Sequence, residues 1–278
     1  MSVRIIVDST ADLRPGLKDQ VTRVPLTVHF GETEYLDGVT ITPEEFYKKL
    51  ITSKDLPTTS QATPYAFSEA FEEAVEAGDT VIAIIASSGL SGTYQSAMIA
   101  AAEFPGKVFV VDSRQIALSS GIMVDYAFQL LEQGMDAQAV AEELTRIREK
   151  VHLMAVVDTL EYLQRGGRIS KGVALAGGLL SIKPVIAMSE EGKMEMVGKA
   201  RGNKQANAWM NKKALELDID FSKPVMLGYT GTGDALLQKY IQESGEFLGG
   251  HEYDISIVGA TVGTHAGPDA VALAFFSK

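Results

Sequence analysis

The uninterrupted apolar run at residues 81–86 leads straight into Ser87-Ser88-Gly89-Leu90-Ser91-Gly92-Thr93 and then into a helical stretch from about 94 to 103. Strand, loop and helix therefore follow one another without a break. The same rhythm recurs through the first half. Residues 3–7 read as a buried first strand. The stretch after Thr63 opens with Pro64 at a first-turn position, keeps Phe67, Ala70, Phe71, Ala74 and Val75 on one face, and stops at Gly78. Residues 108–112 give another strand, and helices follow at 117–133 and 137–150. The second of these has Asp136 as its N-cap and Val140, Leu144, Ile147 and Val151 turned inward. A strand at 153–157 closes the series. Apolar strands alternating with amphipathic helices predict a parallel sheet joined by crossover helices.

Past Asp158 the pattern changes. Gly166-Gly167 and Gly177-Gly178 interrupt it, and a hairpin at 184–200 turns at 190–193. A helix at 203–217, a strand at 224–229, a helix at 234–244 and strands at 253–258 and 271–276 complete the chain. The fold expected is α/β in two lobes: a parallel-sheet domain over 1–157 and a domain with a mixed sheet over 158–278, with a ligand between them. A length of 278 residues sits where one domain usually gives way to two.

Composition removes several function classes. There is no cysteine, which excludes disulfide frameworks, thiolate zinc sites and cysteine nucleophiles, and fits a reducing, cytoplasmic setting. The first residues enter a strand with no export signal, and no apolar run approaches the roughly 20 residues that span a bilayer. A net charge of −11 argues against nonspecific nucleic-acid binding. That charge is uneven. Residues 165–213 hold ten Lys or Arg against three Glu, so one face is expected to meet something acidic.

In the loop after the 81–86 strand, the first helical N–H groups lack intrahelical partners, the glycines permit close approach, and the hydroxyls add donors. A carboxylate or phosphate fits there; helix capping alone is the plainer alternative. Gly89-Leu90-Ser91-Gly92-Thr93 also approximates the G-x-S-x-G nucleophile elbow, and His265 downstream would allow a serine hydrolase using Ser91 and His265. Against it, Thr93 replaces the last glycine and no HGGG-type oxyanion segment occurs. Asp8 and Asp12 lie four residues apart, which is wrong for an aspartyl-phosphate site, so Ser9, Thr10 and Asp12 are expected to turn or cap the chain and line the cleft at the strand end. Tyr229-Thr230-Gly231-Thr232-Gly233 lacks a third glycine, and there is no Walker A sequence, so nucleotide binding is disfavoured. His29, His152 and His251 read as structural. His265, in Gly263-Thr264-His265-Ala266-Gly267-Pro268, is placed between two strands where an imidazole could donate to an anion or be satisfied by backbone. No histidine or carboxylate pair has metal-site spacing, so neither metal nor cofactor is expected. Arg165-Gly166-Gly167-Arg168-Ile169-Ser170-Lys171, with Lys199, Arg201 and Lys204 beyond it, forms the basic region.

Taken in order, Asp8-Ser9-Thr10-Ala11-Asp12-Leu13, Thr59-Ser60-Gln61-Ala62-Thr63-Pro64, the segment 87–97, Val111-Asp112-Ser113, the segment 160–170, Ile182-Lys183-Pro184 and Gly263-Thr264-His265-Ala266-Gly267 resemble the DegV family over nearly the whole chain. The resemblance implies a two-domain α/β protein that encloses a long-chain fatty acid. Bacterial members act as the acyl-binding subunit of fatty acid kinase, presenting the carboxylate to a separate ATP-binding subunit for acyl phosphate formation and phospholipid synthesis. It further implies that Thr59 and Ser91 hold the carboxylate, with Thr264 and His265 close by, and that Arg168 and Arg201 serve kinase docking. Gly92 and Thr93 at the helix start complete the expected carboxylate site, and Arg165 and Lys204 the expected docking face. Asp269 departs from the family, many of whose members carry Gly there.

Physical chemistry supports a carrier independently. Burial of about 0.8 kcal/mol per CH₂ gives a dozen methylenes about 10 kcal/mol before association costs. Hydroxyls and a helix N-terminus can hold the head without a buried Lys or Arg, leaving the carboxylate oxygen free to react. Phe67, Ile116, Met123, Leu163, Ala174 and Ile186 are the expected tunnel residues. A lipid-responsive regulator would share this pocket with a different partner.

Overall fold

The computed structural model describes residues 2–170 and 181–278. In chain order the first half comprises β1 (Val3–Asp8), β2 (Thr22–Val24), β3 (Thr27–Phe30), β4 (Thr33–Leu36), α1 (Pro43–Thr52), β5 (Thr58–Ser60) and α2 (Pro64–Glu76). It continues with β6 (Thr80–Ile85), α3 (Thr93–Ala101), β7 (Val108–Asp112), α4 (Ala117–Glu132) and α5 (Ala137–Ile147). The second half has β8 (Val151–Val156), α6 (Glu161–Arg165), β9 (Ile182–Met188), β10 (Met194–Arg201) and α7 (Gly202–Glu216). It ends with β11 (Met226–Tyr229), α8 (Ala235–Glu243), α9 (Gly245–Leu248), β12 (Asp254–Ile257), α10 (Ala260–Ala266) and β13 (Val271–Phe276).

Alternation of side chains sorts these elements into layers. The first sheet runs β2-β1-β6-β7 and is wholly parallel. On one face Ile6, Val81, Ala83 and Ile85 pack under Phe67 and Phe71 of α2 and Ala97 and Ala100 of α3. On the other, Ile5, Val7, Ile82 and Ile84 join a cluster with Ile122 of α4 and Val140 and Leu144 of α5. The second sheet runs β10-β9-β8-β13-β11-β12, antiparallel except for β11 beside β12. Its outer face sets Val185, Leu227, Leu273 and Phe275 against Met210 of α7 and Leu237 and Tyr240 of α8. Its inner face, with Leu153, Ala155, Ala272 and Phe276, belongs to the same cluster as α4. Residues 118–124 of α4 are buried on every side, as a helix apolar all round should be. This helix lies between the two sheets.

The expected α/β architecture with a parallel and a mixed sheet is what forms. β8 precedes the division expected at Asp158 yet pairs with β13 and β9, so the chain enters the second sheet ahead of that point. Apart from His152 its residues are apolar on both faces, and such a run suits either sheet. A third, antiparallel sheet, β4-β3-β5, was not expected from strands of three or four residues. Nor was α10. The segment expected as a loop around His265 is helical despite Thr, Val and Gly in its middle, because tertiary contacts override weak propensity. Gly177-Gly178, Lys171 and Ala174 lie outside the described residues. No helix among the described residues is long and apolar enough to cross a membrane.

Candidate functional site

Three short elements bring the polar groups together. β5 is held by β3, where Thr59 pairs with Val28. Ser91 ends the loop before α3, and His265 occupies the last turn of α10. Thr59, Ser91 and His265 line one cavity of about 390 Å³, within the range of about 300–1,000 Å³ usual for ligand pockets. Its walls are otherwise largely apolar, with Leu26, Leu90, Ile116, Leu163, Ile186, Met194 and Val262. Of the expected tunnel residues, Ile116, Leu163 and Ile186 line it. Phe67 and Met123 are instead fully buried in the packed clusters beneath α2 and along α4.

The hydroxyl-rich loop divides its labour. Ser87 Oγ donates to the Gly192 carbonyl (2.6 Å), and Ser88 Oγ donates to Asp112 Oδ2 (2.6 Å). Both therefore anchor the loop instead of facing a ligand. The approach between loop and hairpin is close: a Cβ on Gly89 would stand 2.6 Å from the Gly192 carbonyl oxygen, and one on Gly192 2.2 Å from Ser87 Oγ. Leu90, Ser91 and Gly92 reach the cavity, and of the loop's hydroxyl residues only Ser91 does. Ser91 Oγ accepts from the Thr93 N–H (3.2 Å) and lies 2.8 Å from the fully buried Thr93 hydroxyl. Ser91 thus both caps the start of α3 and lines the cavity, since Gly92, the N-cap of α3, makes no side-chain cap bond. Gly92 has no room for a side chain either, because a Cβ there would sit 2.0 Å from Gln61 Oε1.

His265 Nε2 lies 2.9 Å from Thr59 Oγ1, while Nδ1 is buried with no partner among the described residues. Gly166 makes room for the ring, since a Cβ there would stand 2.1 Å from Nδ1. Burial, reinforced by the nearby Arg168 guanidinium, pushes the imidazole down to about 4, so it is neutral at pH 7. A buried N–H without an acceptor is rarer than an unused acceptor, which assigns the proton to Nε2. Nε2–H then donates to Thr59 Oγ1 and leaves the Thr59 hydroxyl proton free for a ligand. This arrangement does not assemble a hydrolase relay. His265 meets Thr59, not Ser91, and no carboxylate orients its second nitrogen.

The remaining expected residues separate. Thr264 is buried and donates to the Ala260 carbonyl (3.0 Å), away from the cavity. Thr10 lines the cavity with its hydroxyl given to Asp8 Oδ1 (2.5 Å). Arg168 also lines it, with Nη1 donating to the Gly166 carbonyl (2.6 Å) and Nε to that of Leu90 (3.3 Å), so a cation does stand on the cavity wall. Arg165, Arg201 and Lys204 are exposed; Arg165 pairs with Glu161 (2.6 Å), and Arg201 Nε donates to Ser181 Oγ (3.4 Å). Asp269 takes a φ of +63° in the turn after α10, a conformation easier for glycine. Thr261 and Val262 were missed. Had α10 been read as a helix, their spacing from His265 and Ala266 would have put all four on one face.

Two buried carboxylates fix α10. Asp12 Oδ1 accepts from Gly259 N–H (2.8 Å), and Asp37 accepts from Ala260 (3.1 Å) and Thr261 (3.0 Å). Burial lifts Asp12 from 3.8 to about 7; Gly259 N–H opposes this, Asp37 adds to it, and Arg23 and Lys18 oppose it. The folded state therefore keeps a proton that the unfolded chain loses, and stability falls as pH rises from about 4 to about 7. Asp12→Asn keeps the acceptor for Gly259 without the charge. It should melt above the parent at pH 8 and show no such advantage at pH 5. An equal difference at both values in thermal scans would mean that the charge is not responsible.

The pattern defining the DegV family, described as uncharacterised proteins, matches residues 2–278. The chain belongs to the DegV family. A DegV domain-containing protein of Caldanaerobacter subterraneus subsp. tengcongensis is 35% identical over 99% of each chain. Among solved DegV structures, one from Thermus thermophilus, described as fatty acid binding, superposes with a TM-score of 0.88 at 36% identity and full coverage of both chains. The fatty acid kinase B3 protein of Streptococcus pneumoniae, loaded with linoleic acid, superposes at 0.87 over the whole of both chains; at 21% identity that likeness is one of fold.

Proposed function

We propose that this DegV protein binds a long-chain fatty acid in the cavity and presents its carboxylate to a separate ATP-using kinase subunit, which makes the acyl phosphate. The observation that carries the reading is the convergence of Thr59, Ser91 and His265 on a cavity otherwise walled mainly by aliphatic side chains. Fatty acid binding by the Thermus thermophilus relative supports it. The carboxylate takes one hydrogen bond from Thr59, backed by His265 Nε2–H, and one from Ser91, backed by the Thr93 hydroxyl. Chained donors polarise one another, so each outer hydroxyl is a better donor than it would be alone. N–H groups at the start of α3 add their dipole. Gly92 and Gln61 are exposed at this end, which leaves the head within reach of a partner. The acyl chain lies along Ile116, Leu163 and Ile186. This chain holds and orients the acid, and the phosphoryl chemistry belongs to the partner.

Solvent extraction of the purified protein followed by mass spectrometry should recover a long-chain acid. A protein that is reproducibly empty and takes up no added acid would sink the reading. For the docking half, Arg201→Glu should lower kinase-dependent acyl phosphate formation at least about tenfold while acid binding persists, as expected for losing an interfacial charge contact. Parallel loss of both activities would assign Arg201 to folding instead.

A further inference from the structure

The parallel sheet ends in two edge strands, and only one of them is guarded. β2 is three residues long and carries Arg23. The edges of the mixed sheet are guarded too: β10 has Glu195, Lys199 and a register shift between Met196 and Gly198, and β12 has Asp254. Charges, short strands and bulges are how proteins keep sheet edges from pairing with other chains. β7 lacks such a device. It reads Val108-Phe109-Val110-Val111-Asp112, its register with β6 is unbroken, and its one carboxylate is held by the Ser88 hydroxyl and by the Ser88 and Arg114 N–H groups. An open groove of about 580 Å³ runs along it, walled by Met98, Ala101 and Ala102 on the α3 side and by Ala141 of α5. Met98 is 40% exposed, and Val108, Phe109 and Val110 are only partly buried.

Four hydrogen bonds fix which way each peptide group of β7 points. The Lys107 carbonyl accepts from Val81 N–H (2.8 Å) and Ser113 N–H donates to the Ile85 carbonyl (3.1 Å), so the odd-numbered residues turn their backbone toward β6. The even-numbered residues turn theirs outward. Two of these outward groups are occupied: Val108 N–H donates to the Phe104 carbonyl (3.3 Å), and the Asp112 carbonyl accepts from Arg148 Nη1 (2.8 Å). The Val108 carbonyl, both groups of Val110 and Asp112 N–H have no partner among the described residues. A half-turn about Val110 maps this set onto its own complement. Val110 N–H and carbonyl meet the same two groups of a second β7, and each Asp112 N–H meets the opposite Val108 carbonyl. The groups this pairing would leave out, Val108 N–H and the Asp112 carbonyl, are the two already bonded within the chain.

We infer that β7 is the interface between two copies of this chain, which join edge to edge about a twofold axis at Val110, their four-stranded sheets becoming one continuous sheet with an antiparallel pair at its centre. The axis stands perpendicular to the sheet, so the two Met98 side chains come to the same face and add apolar cover to the strand pair. Polarity along the edge is what favours a copy as occupant, because donor meets acceptor at every open position. No residue of the groove lines the cavity that holds Thr59, Ser91 and His265, so the inference stands apart from the ligand reading.

The test is analytical ultracentrifugation of the full chain over a range of concentrations, joined to amide hydrogen exchange. A species of twice the 29.9 kDa chain mass should appear as concentration rises, with the Val110 and Asp112 amides exchanging more slowly in it than after dilution. Val110→Pro removes a donor that β6 does not use. It should raise the dimer dissociation constant at least about tenfold, since the change is made on both sides of the axis and removes two bonds. Val110→Lys sets a charge on each side of the axis and should act in the same direction, which covers the case in which proline costs the fold; circular dichroism identifies that case. The inference is overturned if the parent stays monomeric up to about 1 mM. It is equally overturned if a folded Val110→Lys variant dimerises as the parent does, since the copies then meet on another surface. A monomeric chain whose β7 amides are slowed only by a different protein gives the edge a foreign strand as occupant, and that result also overturns it.

Discussion

Thr59→Val combined with Ser91→Ala should reduce affinity for a long-chain acid by about a hundredfold, because in the proposed site each hydroxyl would supply a hydrogen bond to a charged group worth about 1.5 kcal/mol or more. Both side chains are only partly buried, so the double variant should fold and melt close to the parent. Titration with a fluorescent acid, with circular dichroism as the folding control, separates loss of the head site from loss of the fold. Unchanged affinity in a folded double variant would show that the head group binds elsewhere. His265→Ala should weaken binding less than loss of Thr59, since the imidazole meets the Thr59 hydroxyl and in the proposed site would act on the ligand through it.

Gly121→Ala should unfold the protein or destabilise it by about 3 kcal/mol or more, although alanine is the better helix former by about 1 kcal/mol. The added Cβ would stand 2.0 Å from the Asp12 carbonyl oxygen. That backbone cannot step aside cheaply. The Asp12 N–H is bonded to the Ala117 carbonyl (3.2 Å), and its carboxylate holds Gly259 (2.8 Å). Any shift that relieved the clash would pass through Gly259 to α10 and therefore to His265. Urea denaturation measures the cost, and a variant as stable as the parent would mean that the segment after β1 is not fixed as described. Gly134→Ala, with open space around its Cβ position, makes a useful contrast; its strain would come from a φ of +88° alone.

Three strands of the parallel sheet, β1, β6 and β7, were legible in the sequence because they are predominantly apolar runs and the helices between them carry clear boundaries; β2, three residues with Arg23 at its centre, was not. Asp136 caps α5 by accepting from Ala139 N–H (2.9 Å), and Thr63 with Pro64 opens α2, both local signals that the fold retains. Read from the residues alone, Thr59, Ser91 and His265 belong to separate motifs, and only the family resemblance grouped them. Nothing local indicates that Thr59 and His265 touch across 206 positions, a contact produced by β5 and α10 meeting in space. α10 itself was illegible for a related reason. Its residues are poor helix formers, and the carboxylates that tie down its N-terminus come from Asp12 and Asp37, more than two hundred residues earlier. Ser87 and Ser88 erred in the other direction. Their composition suggested ligand binding, yet their partners, Gly192 and Asp112, are structural and distant in sequence.

Because α4 offers one flank to the parallel sheet and the opposite flank to the mixed one, the chain is not a pair of detachable modules. A fragment ending at Val157 would carry Ile122, Met123 and Val124 with half of their neighbours missing, and a fragment beginning at Asp158 would lack both β8, from the middle of its sheet, and the helix that covers it. Neither piece closes its own interior. The intact protein should accordingly lose structure in one concerted transition, with far- and near-ultraviolet signals coincident, and a ligand gripping both lobes would raise that transition as a whole.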